Sequence, residues 1–253
     1  MSVITSTWVE RDGLLRSPLL ERYGAVAGFT TRAQGSMAGS VFPLDEQARN
    51  RAALARALGF DGVARVRQVH GNTVVRLDRP VEPWPEADAL WTDRPGVLLG
   101  VAAADCVPIL VAEPQSGRIG AAHAGWQGTR LRVAQALVRA LVGAGSRASR
   151  LVAAIGPSIG PCCYTVDAAR AELVRASGQD AHLQERGDRF VFDLWSANIA
   201  QLRDIGVESI EVSRICTLSG GHDLWSYRGR GADGRYGTQL GFIGGSRERR
   251  IPA

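Results

Sequence analysis

A cysteine and a histidine that can bind metal or carry out nucleophilic chemistry flank a predicted turn. Cys106 precedes one apolar run and His123 lies near the end of the next, with Pro-Gln-Ser-Gly at 114–117 between them. Two apolar runs around such a break predict a β-hairpin. With the turn centred between residues 114 and 115, Cys106 and His123 face each other with Cβ atoms about 4.5 to 5.5 Å apart. A thiolate and an imidazole at that separation can share one metal ion.

His70 is the third candidate ligand, predicted at the tip of a second hairpin made by residues 63–69 and 73–77. Two imidazoles and one thiolate suit zinc, and three protein ligands leave a fourth position for water or substrate. Bound to zinc in this way, water has a pKa of about 7. Other interpretations of the same residues stay open: a metal-free pair with Cys106 as nucleophile, a blue-copper ligand set, or structural residues at strand ends. The four histidines of the chain are few for a multicopper oxidase.

A candidate anion site follows His123. The segment from Gly125 to Thr129 is predicted to lead from a strand into a helix, whose free N–H groups favour negative charge. Arg32 and Arg228 stand beside glycine-rich or turn segments. Arginine suits bidentate binding of phosphate, although most arginines in such places face solvent.

The remaining cysteines and histidines are not predicted to carry chemistry. Cys162 and Cys163 are adjacent, and neighbouring residues of an extended chain point to opposite sides, so one ion is not expected to bind both. His182 and His222 are assigned to the surface. Four cysteines do not suggest a disulfide framework. All 30 basic residues are arginine, which excludes Schiff-base chemistry on a lysine.

Composition indicates a globular protein: of 253 residues, 45% are hydrophobic and 22% are charged. The sequence has neither an apolar run as long as a membrane span nor the pattern of a signal peptide, which predicts a cytoplasmic protein without a membrane partner. A net charge of +5 permits nucleic-acid binding. Scattered arginines without an aromatic and basic motif argue against it.

The elements that must position these residues are about nine strands and four helices. Strands are predicted from apolar runs such as 97–104 and 151–155, and helices near 45–58, 128–142, 167–176 and 194–205. The buried helix positions are predicted to be Ala52, Ala55, Leu58, Leu131, Ala134, Val138, Leu141 and Val142. Without a repeat or linker, the pattern predicts a single α+β domain over residues 1–253, in which helices cover mixed β-sheets.

Five motifs then occur in an order typical of one protein family: Gln68-Val69-His70-Gly71, Ala104-Asp105-Cys106, His123-Ala124-Gly125-Trp126, Gly156-Pro157-Ser158-Ile159 and Ser226-Tyr227-Arg228. On these motifs the chain resembles bacterial proteins once described as multicopper polyphenol oxidoreductases or laccases. They are now described as purine nucleoside phosphorylases or peptidoglycan editing factors. The resemblance extends from Phe29 to Arg228.

This resemblance implies a layered α+β sandwich and a zinc ion (Zn²⁺) held by His70, Cys106 and His123. It implies phosphorolysis of adenosine, inosine and methylthioadenosine to free base and ribose 1-phosphate, with deamination of adenosine as a further activity. The expected ligands are therefore a nucleoside and phosphate.

Roles for individual residues follow as a hypothesis from their types and positions. Contacts to substrate or phosphate are expected from Arg32, Gln68, Gly125, Thr129 and Arg228. Cys106 and His123 are expected to act in catalysis, and Asp105, the carboxylate nearest to Cys106 in sequence, to transfer protons during deamination. The segment from Ala33 to Pro43 departs from the family pattern of Gly-Gly followed by Ser-Leu-Asn-Leu-Gly, which could change the substrate preference.

Other functions would use the same residues. An amide hydrolase could remove a wrongly incorporated amino acid from a UDP-muramyl precursor with the same metal. A copper-dependent polyphenol oxidase would need a different metal. A binding protein with a structural metal would fill the fourth position with a protein ligand.

Overall fold

The computed structural model describes residues 8–245. The tail at residues 247–250 is predicted to be mobile because it ends the chain, and it lies outside the described residues. The described strands are β1 Val9–Arg11, β2 Leu14–Arg16, β3 Ala25–Thr30, β4 Val63–Ala64, β5 Val74–Arg76, β6 Ala89–Thr92, β7 Leu98–Ala103, β8 Val107–Glu113, β9 Arg118–Ala124, β10 Val152–Ile155, β11 Thr165–Val166, β12 Leu183–Arg186, β13 Arg189–Phe192, β14 Ser209–Val212 and β15 Gln239–Gly245. The α-helices of the same residues are α1 Pro18–Arg22, α2 Leu44–Ala57, α3 Trp126–Arg130, α4 Val133–Gly143, α5 Ala168–Ala176 and α6 Leu194–Asp204.

Two six-stranded mixed sheets form the centre of the fold. Their strand orders are β1-β2-β3-β15-β7-β4 and β14-β10-β8-β9-β6-β5, and β11-β13-β12 make a small third sheet. A buried cluster that includes Phe29 of the first sheet and Leu110 of the second fills the space between them. Helices α4 and α6 cover the outer face of the second sheet, and α2 packs on the first. This layered α+β arrangement confirms the predicted fold class.

Strand β8 shows how the sequence specifies these layers. Ile109 and Val111 belong to the cluster under the helices, whereas Leu110 and Ala112 belong to the cluster between the sheets. Successive side chains of a strand point to opposite faces, so a strand buried on both faces needs a continuous apolar run. The same reasoning predicted β7, whose six residues are all buried.

The β8–β9 hairpin is confirmed, but its predicted register is wrong. Pro108 pairs with His123, and Glu113 pairs with Arg118. The turn therefore holds four residues, and Gly117 closes it with φ of +70° and an N–H donated to the Glu113 carbonyl. Continued in this register, Cys106 lies opposite Gly125, and His123 is its diagonal neighbour. Because the error is two residues, it leaves both side chains on the predicted face.

The predicted hairpin around His70 is wrong. Strand β4 pairs in parallel with β7, and β5 pairs in parallel with β6 in the other sheet. His70 therefore lies in a crossover between the sheets. The polar segment before it pairs with a distant partner, because the Arg67 N–H donates to the Pro85 carbonyl and the Arg67 carbonyl accepts from Ala87.

The helix predicted from Gly128 is two helices. Helix α3 begins at Trp126 with Gly125 as its N-cap, and α4 starts after Arg132, whose φ of +62° interrupts the helical path. Leu131 is the C-cap of α3 at this break and is 36% exposed, and Val142 on α4 is 41% exposed, so both were wrongly predicted as buried. Ala134, Val138 and Leu141 are buried as predicted.

Helix α2 differs from the helix predicted near residues 45–58 in where it begins and in which residues it buries. Pro43 is the N-cap, and Asp45 lies inside the first turn, where its carboxylate accepts a hydrogen bond from Arg49. Ala55 is buried as predicted, Leu58 is half-buried, and Ala52 is exposed. Leu54, which was not predicted, is buried beside Ala55. Among the helices of residues 8–245, none has both the length and the apolar character needed to cross a membrane.

Leu110 offers a test of the packing between the two sheets. Its side chain is fully buried, and Leu110→Ala is expected to lower the free energy of unfolding by about 2 to 5 kcal/mol, because it leaves a cavity that the sheets cannot close. The matched control is Leu44→Ala at a position that is 79% exposed, where a change within about 0.5 kcal/mol is expected. Urea unfolding of both variants measures the difference, and equal losses would contradict this packing.

Candidate metal centre and its cavity

Cys106 is positioned by a bend between β7 and β8. Asp105 has φ of +87°, and its carboxylate accepts hydrogen bonds of 2.6 Å from the Thr217 hydroxyl and of 2.6 Å from the Arg228 backbone N–H. The Asp105 carbonyl accepts from the Ile159 N–H at 2.9 Å. These three contacts hold the unusual backbone conformation, and they fix the direction in which the next residue, Cys106, projects.

His123 and His70 are both positioned by one carboxylate, that of Asp88. The His123 Nδ1 atom lies 2.9 Å from an Asp88 oxygen. The same fully buried carboxylate accepts the backbone N–H groups of Val69, His70 and Gly71 at 3.1, 2.9 and 2.6 Å. A carboxylate on one ring nitrogen of a histidine fixes its tautomer and leaves the other nitrogen available as a ligand. Asp88 therefore orients the ring of His123 and shapes the loop that carries His70.

Asp88 was not predicted as a site residue, because the four prolines between residues 80 and 95 indicate an irregular connection in this part of the chain. That segment contains β6, and Asp88 stands directly before it. The signal that could have found it is chemical. Histidine ligands usually donate their second N–H to a carboxylate, which directs attention to an acidic residue beside a short apolar run.

His70, Cys106 and His123 converge at one point, named here the candidate metal centre. Their ligand atoms all lie within 4.8 Å of one another. The two imidazole rings are 4.9 Å apart between centroids and nearly perpendicular, at 80°. His123 is buried, Cys106 is half-buried and His70 is exposed, so the centre opens to solvent on the side of His70. The structure thus brings together the three predicted ligands.

The charges at the centre suit a metal ion. Burial would raise the pKa of the Cys106 thiol, but the neighbouring His123 and His70 lower it to about 6. Burial would lower the pKa of His123, but Cys106 and Asp88 raise it to about 10. Without a metal, the pair is therefore a thiolate and an imidazolium. A cation that displaces the imidazolium proton meets a ligand set of one thiolate and two imidazoles, which is a zinc-type set.

Gly125 leaves the space that this centre occupies. A Cβ atom at this position would lie 2.9 Å from the Cys106 Sγ and 3.2 Å from the His70 Cδ2. Its φ of −71° is open to any residue, so the need for glycine comes from the neighbouring ligands. Any side chain here would push the thiolate away from the histidines.

Gly125→Ala is accordingly expected to weaken metal binding at least tenfold, the lower end of the loss seen when ligand orientation is disturbed. A competition titration with a coloured zinc chelator measures it. Gly143→Ala is the matched control, because a Cβ atom there meets nothing within 4 Å. Wild-type affinity in both variants would show that Gly125 does not make room for the ligands.

The candidate metal centre lies in the wall of a cavity of about 690 Å³. Arginine and aromatic side chains line the rest of it: Arg65, Arg67, Arg170, Arg189, Arg228, Trp84, Trp126, Tyr164, Tyr227 and Tyr236. Burial raises the pKa of Tyr164, so its phenol stays protonated and can donate a hydrogen bond. The cavity therefore offers cations and flat apolar surfaces within reach of one metal site.

Most of the predicted substrate contacts lie in this cavity. Asp105, Gln68, Gly125 and Arg228 line it. Gln68 also holds β7, because its side-chain amide donates to the Ala102 carbonyl and accepts from the Ala102 N–H, both at 2.8 Å.

Arg32 and Thr129 are not among the residues that line it. The Arg32 guanidinium lies 4.3 Å from the centroid of the Trp225 ring and donates to the Leu224 carbonyl. Thr129 is fully buried, and its hydroxyl accepts from Asn198 at 3.0 Å. The geometry gives neither residue a contact with a ligand of the cavity, and their roles stay predictions.

Three further cavity residues were not predicted: Arg170, Arg189 and Tyr164. They come from α5, from the small third sheet and from the loop before it. No local motif links these positions to Cys106, so they become visible only when the fold brings them to the cavity.

Known proteins resemble the chain over nearly its whole length. A purine nucleoside phosphorylase from Deinococcus radiodurans is 43% identical over 241 residues, which cover 90% of this chain and 92% of that protein. Purine nucleoside phosphorylase YlmD from Geobacillus stearothermophilus is 36% identical over 264 residues, covering 93% and 95%. The crystal structure of YlmD from G. stearothermophilus has a TM-score of 0.83 at 32% identity, covering 94% of this chain and 98% of that chain. The family model described as multi-copper polyphenol oxidoreductase laccase matches residues 27–246. The chain therefore belongs to that family.

Proposed function

We propose that this protein is a zinc-dependent purine nucleoside phosphorylase in which His70, Cys106 and His123 hold the metal. The observation that carries the proposal is the position of this ligand set in a cavity lined by arginine and aromatic side chains. The names of the relatives support a phosphorylase. Zinc bound there would supply a Lewis acid that polarises an oxygen atom of substrate or water.

The ligand set favours zinc over a cluster of copper ions. The four histidines of the chain all lie within residues 8–245. His182 bonds to Ser196 at 2.8 Å, and His222 lies 3.6 Å from Glu10. Two imidazoles and one thiolate remain for the cavity, enough for a three-ligand zinc site. A multicopper oxidase needs more imidazoles than these.

Arg170, Arg189 and Arg228 are proposed to hold phosphate. Guanidinium groups bind phosphate oxygens through two parallel hydrogen bonds. The Arg228 guanidinium is already oriented, since it donates to the Thr165 carbonyl at 3.1 Å and lies 5.2 Å from the Tyr164 ring centroid. Arg170 is held by Asp167 and stacks near Trp126. Two of these cations are thus directed by existing contacts rather than by the substrate.

In phosphorolysis a phosphate oxygen forms a bond to C1′ of the ribose while the bond from C1′ to the purine nitrogen breaks. The electron pair of that bond leaves with the purine, which takes up a proton. The arginines would keep the attacking phosphate in place, and a ring such as Trp84 or Trp126 would stack on the purine. The protonated hydroxyl of Tyr164 would donate a hydrogen bond to the bound substrate.

The proposal includes deamination of adenosine. Water adds to C6 of the purine and ammonia leaves, which requires a group that transfers protons. Asp105 is our candidate because it lines the cavity and directly precedes Cys106 in the chain. In the structure this carboxylate already accepts from Thr217 and Arg228, so the reaction would require one of these contacts to open.

The test is a set of parallel incubations of the zinc-loaded protein. Inosine or adenosine with phosphate is expected to yield ribose 1-phosphate, and omission of phosphate should abolish it. Ammonia release from adenosine reports deamination separately. A UDP-muramyl precursor carrying a wrong amino acid tests the amide hydrolase. Amino-acid release from that precursor by zinc-replete protein, without ribose 1-phosphate from either nucleoside, would overturn the phosphorylase proposal.

Arg228→Gln is expected to raise KM for phosphate by about tenfold or more, since a hydrogen bond to a charged group contributes about 1.5 to 3 kcal/mol. The KM for inosine should change much less. Arg49→Gln is the control, on a side chain that is 68% exposed on α2. Steady-state kinetics with each substrate varied in turn provide the measurement. An equal rise in both KM values would count against a phosphate contact.

A further inference from the structure

Three thiols form a second cluster, apart from the candidate metal centre. The Sγ atoms of Cys162, Cys163 and Cys216 lie within 4.8 Å of one another. All three are free cysteines. None of them has a role in the function proposed above.

The sequence-based expectation that Cys162 and Cys163 point to opposite sides is wrong at this position. That expectation assumed an extended chain, but the pair lies in a tight turn. The N–H groups of Cys163 and Tyr164 both donate to the Gly160 carbonyl at 3.0 Å. Cys216 is brought to the turn by a short parallel bridge with Ser158.

The spacing of the sulfur atoms suits one metal ion. A zinc-to-sulfur bond is about 2.3 Å, so two sulfur ligands of one tetrahedral ion are about 3.8 Å apart. Sulfur atoms within 4.8 Å reach this distance through small side-chain rotations. Two of the cysteines lie in a turn at the surface, so such rotations do not disturb the core.

The surroundings of the cluster also resemble those of a thiolate site. The Gly160 N–H donates to the Cys216 Sγ at 3.3 Å, a contact that stabilises negative charge on sulfur. The Ser219 hydroxyl lies 3.4 Å from both other sulfur atoms and supplies an oxygen at the open side. Cys162 is exposed and Cys216 is buried, so an ion can enter from solvent and reach an anchored ligand.

We propose that Cys162, Cys163 and Cys216 form a second cation site that binds a thiophilic ion of the Zn²⁺ class. Three sulfur ligands select such ions over Mg²⁺ or Ca²⁺, which prefer oxygen. The expected role is structural, since the ion joins the loop at 156–164 to the turn at 216–220.

An ion in the thiol cluster would stabilise two segments that form or contact the wall of the cavity. Ile159 and Tyr164, on the same loop as two of the thiols, line the cavity. Thr217 follows Cys216 and donates to the Asp105 carboxylate. An ion in the thiol cluster would therefore restrict the segments that carry Tyr164 and contact Asp105.

The test uses Cd²⁺ with reduced, metal-free protein, because cadmium binds thiolates and its charge-transfer absorbance increases with each bound sulfur. Wild type is expected to bind two equivalents. Cys106→Ser should retain one, with the strong absorbance of a three-sulfur site. The double variant Cys162→Ser/Cys163→Ser should also retain one, with the weaker absorbance of a single sulfur. A single equivalent in wild type that Cys106→Ser loses, or two equivalents in the double variant, would overturn the proposal.

Two further measurements test the proposal even if the double variant does not fold. Cys162 is exposed, so Cys162→Ser should fold normally and bind the second equivalent at least tenfold more weakly; unchanged affinity would overturn the proposal. In Cys106→Ser, which retains all three thiols of the cluster, Cd²⁺ should raise the unfolding temperature. An unchanged temperature at saturating Cd²⁺ would count equally against it.

Discussion

Cys106→Ser is expected to abolish zinc binding at the candidate metal centre and, with it, the phosphorolysis of inosine. A serine hydroxyl is not deprotonated near neutral pH, whereas the pKa of the Cys106 thiol is lowered to about 6. The centre would then keep two imidazoles and no anionic ligand. We expect a loss of affinity beyond the roughly 10- to 100-fold that follows loss of an outer partner. Elemental analysis and chelator competition measure it.

The histidine ligands provide a matched comparison for this result. His123→Asn should lose zinc as Cys106→Ser does, whereas His222→Asn, which removes a histidine outside the cavity, should bind zinc like wild type. Thermal unfolding of each metal-free variant shows whether it is folded. Full zinc content in folded Cys106→Ser protein, after occupancy of the thiol cluster is subtracted, would rule out Cys106 as a ligand.

Asp88→Asn is expected to reduce both stability and metal affinity. The carboxylate accepts three backbone N–H groups and the His123 ring. An amide NH₂ group in place of either oxygen would face the backbone N–H groups that the carboxylate now accepts, and neither side could accept a hydrogen bond. Leaving such buried groups unpaired costs about 1 to 3 kcal/mol, and loss of the histidine partner lowers zinc affinity by about 10- to 100-fold.

Urea unfolding of the metal-free variant isolates the first effect, and chelator competition measures the second. Asp93→Asn is the control, because that carboxylate lies near the surface and pairs with exposed Arg76. Both Asp88→Asn effects should exceed those of Asp93→Asn. Wild-type affinity for zinc in Asp88→Asn protein would mean that the orientation of His123 does not depend on this carboxylate.

The sequence was sufficient to predict the ligands, because the prediction required only that Cys106 and His123 lie on the same face of the sheet. It did not require the exact pairing of the two strands. The turn before Arg118 is longer than assumed, yet a shift of two residues kept Cys106 and His123 on one face. His70 was identified by residue type, although the hairpin predicted around it does not form. The residue types and the alternation of side chains along the strands therefore identified the metal centre, although the predicted hairpin around His70 was wrong.

The remainder of the site depends on contacts between distant segments. Asp88 acts on residues 69–71 and on His123 through the crossover between the sheets. Arg170 and Arg189 reach the cavity from elements that follow Cys106 by more than sixty residues. The thiol cluster depends on a turn that the rule for extended chains does not describe. Sequence patterns describe residues that are neighbours within one helix or strand. The contacts of Asp88, of the two arginines and of the thiol cluster all join different elements.

The location of zinc in crystals of the zinc-loaded protein, measured by anomalous scattering at the zinc absorption edge, tests the metal centre most directly. We expect a peak bounded by the two imidazole rings of His70 and His123 and by the Cys106 sulfur. A zinc-replete crystal whose anomalous peaks all lie elsewhere would contradict it.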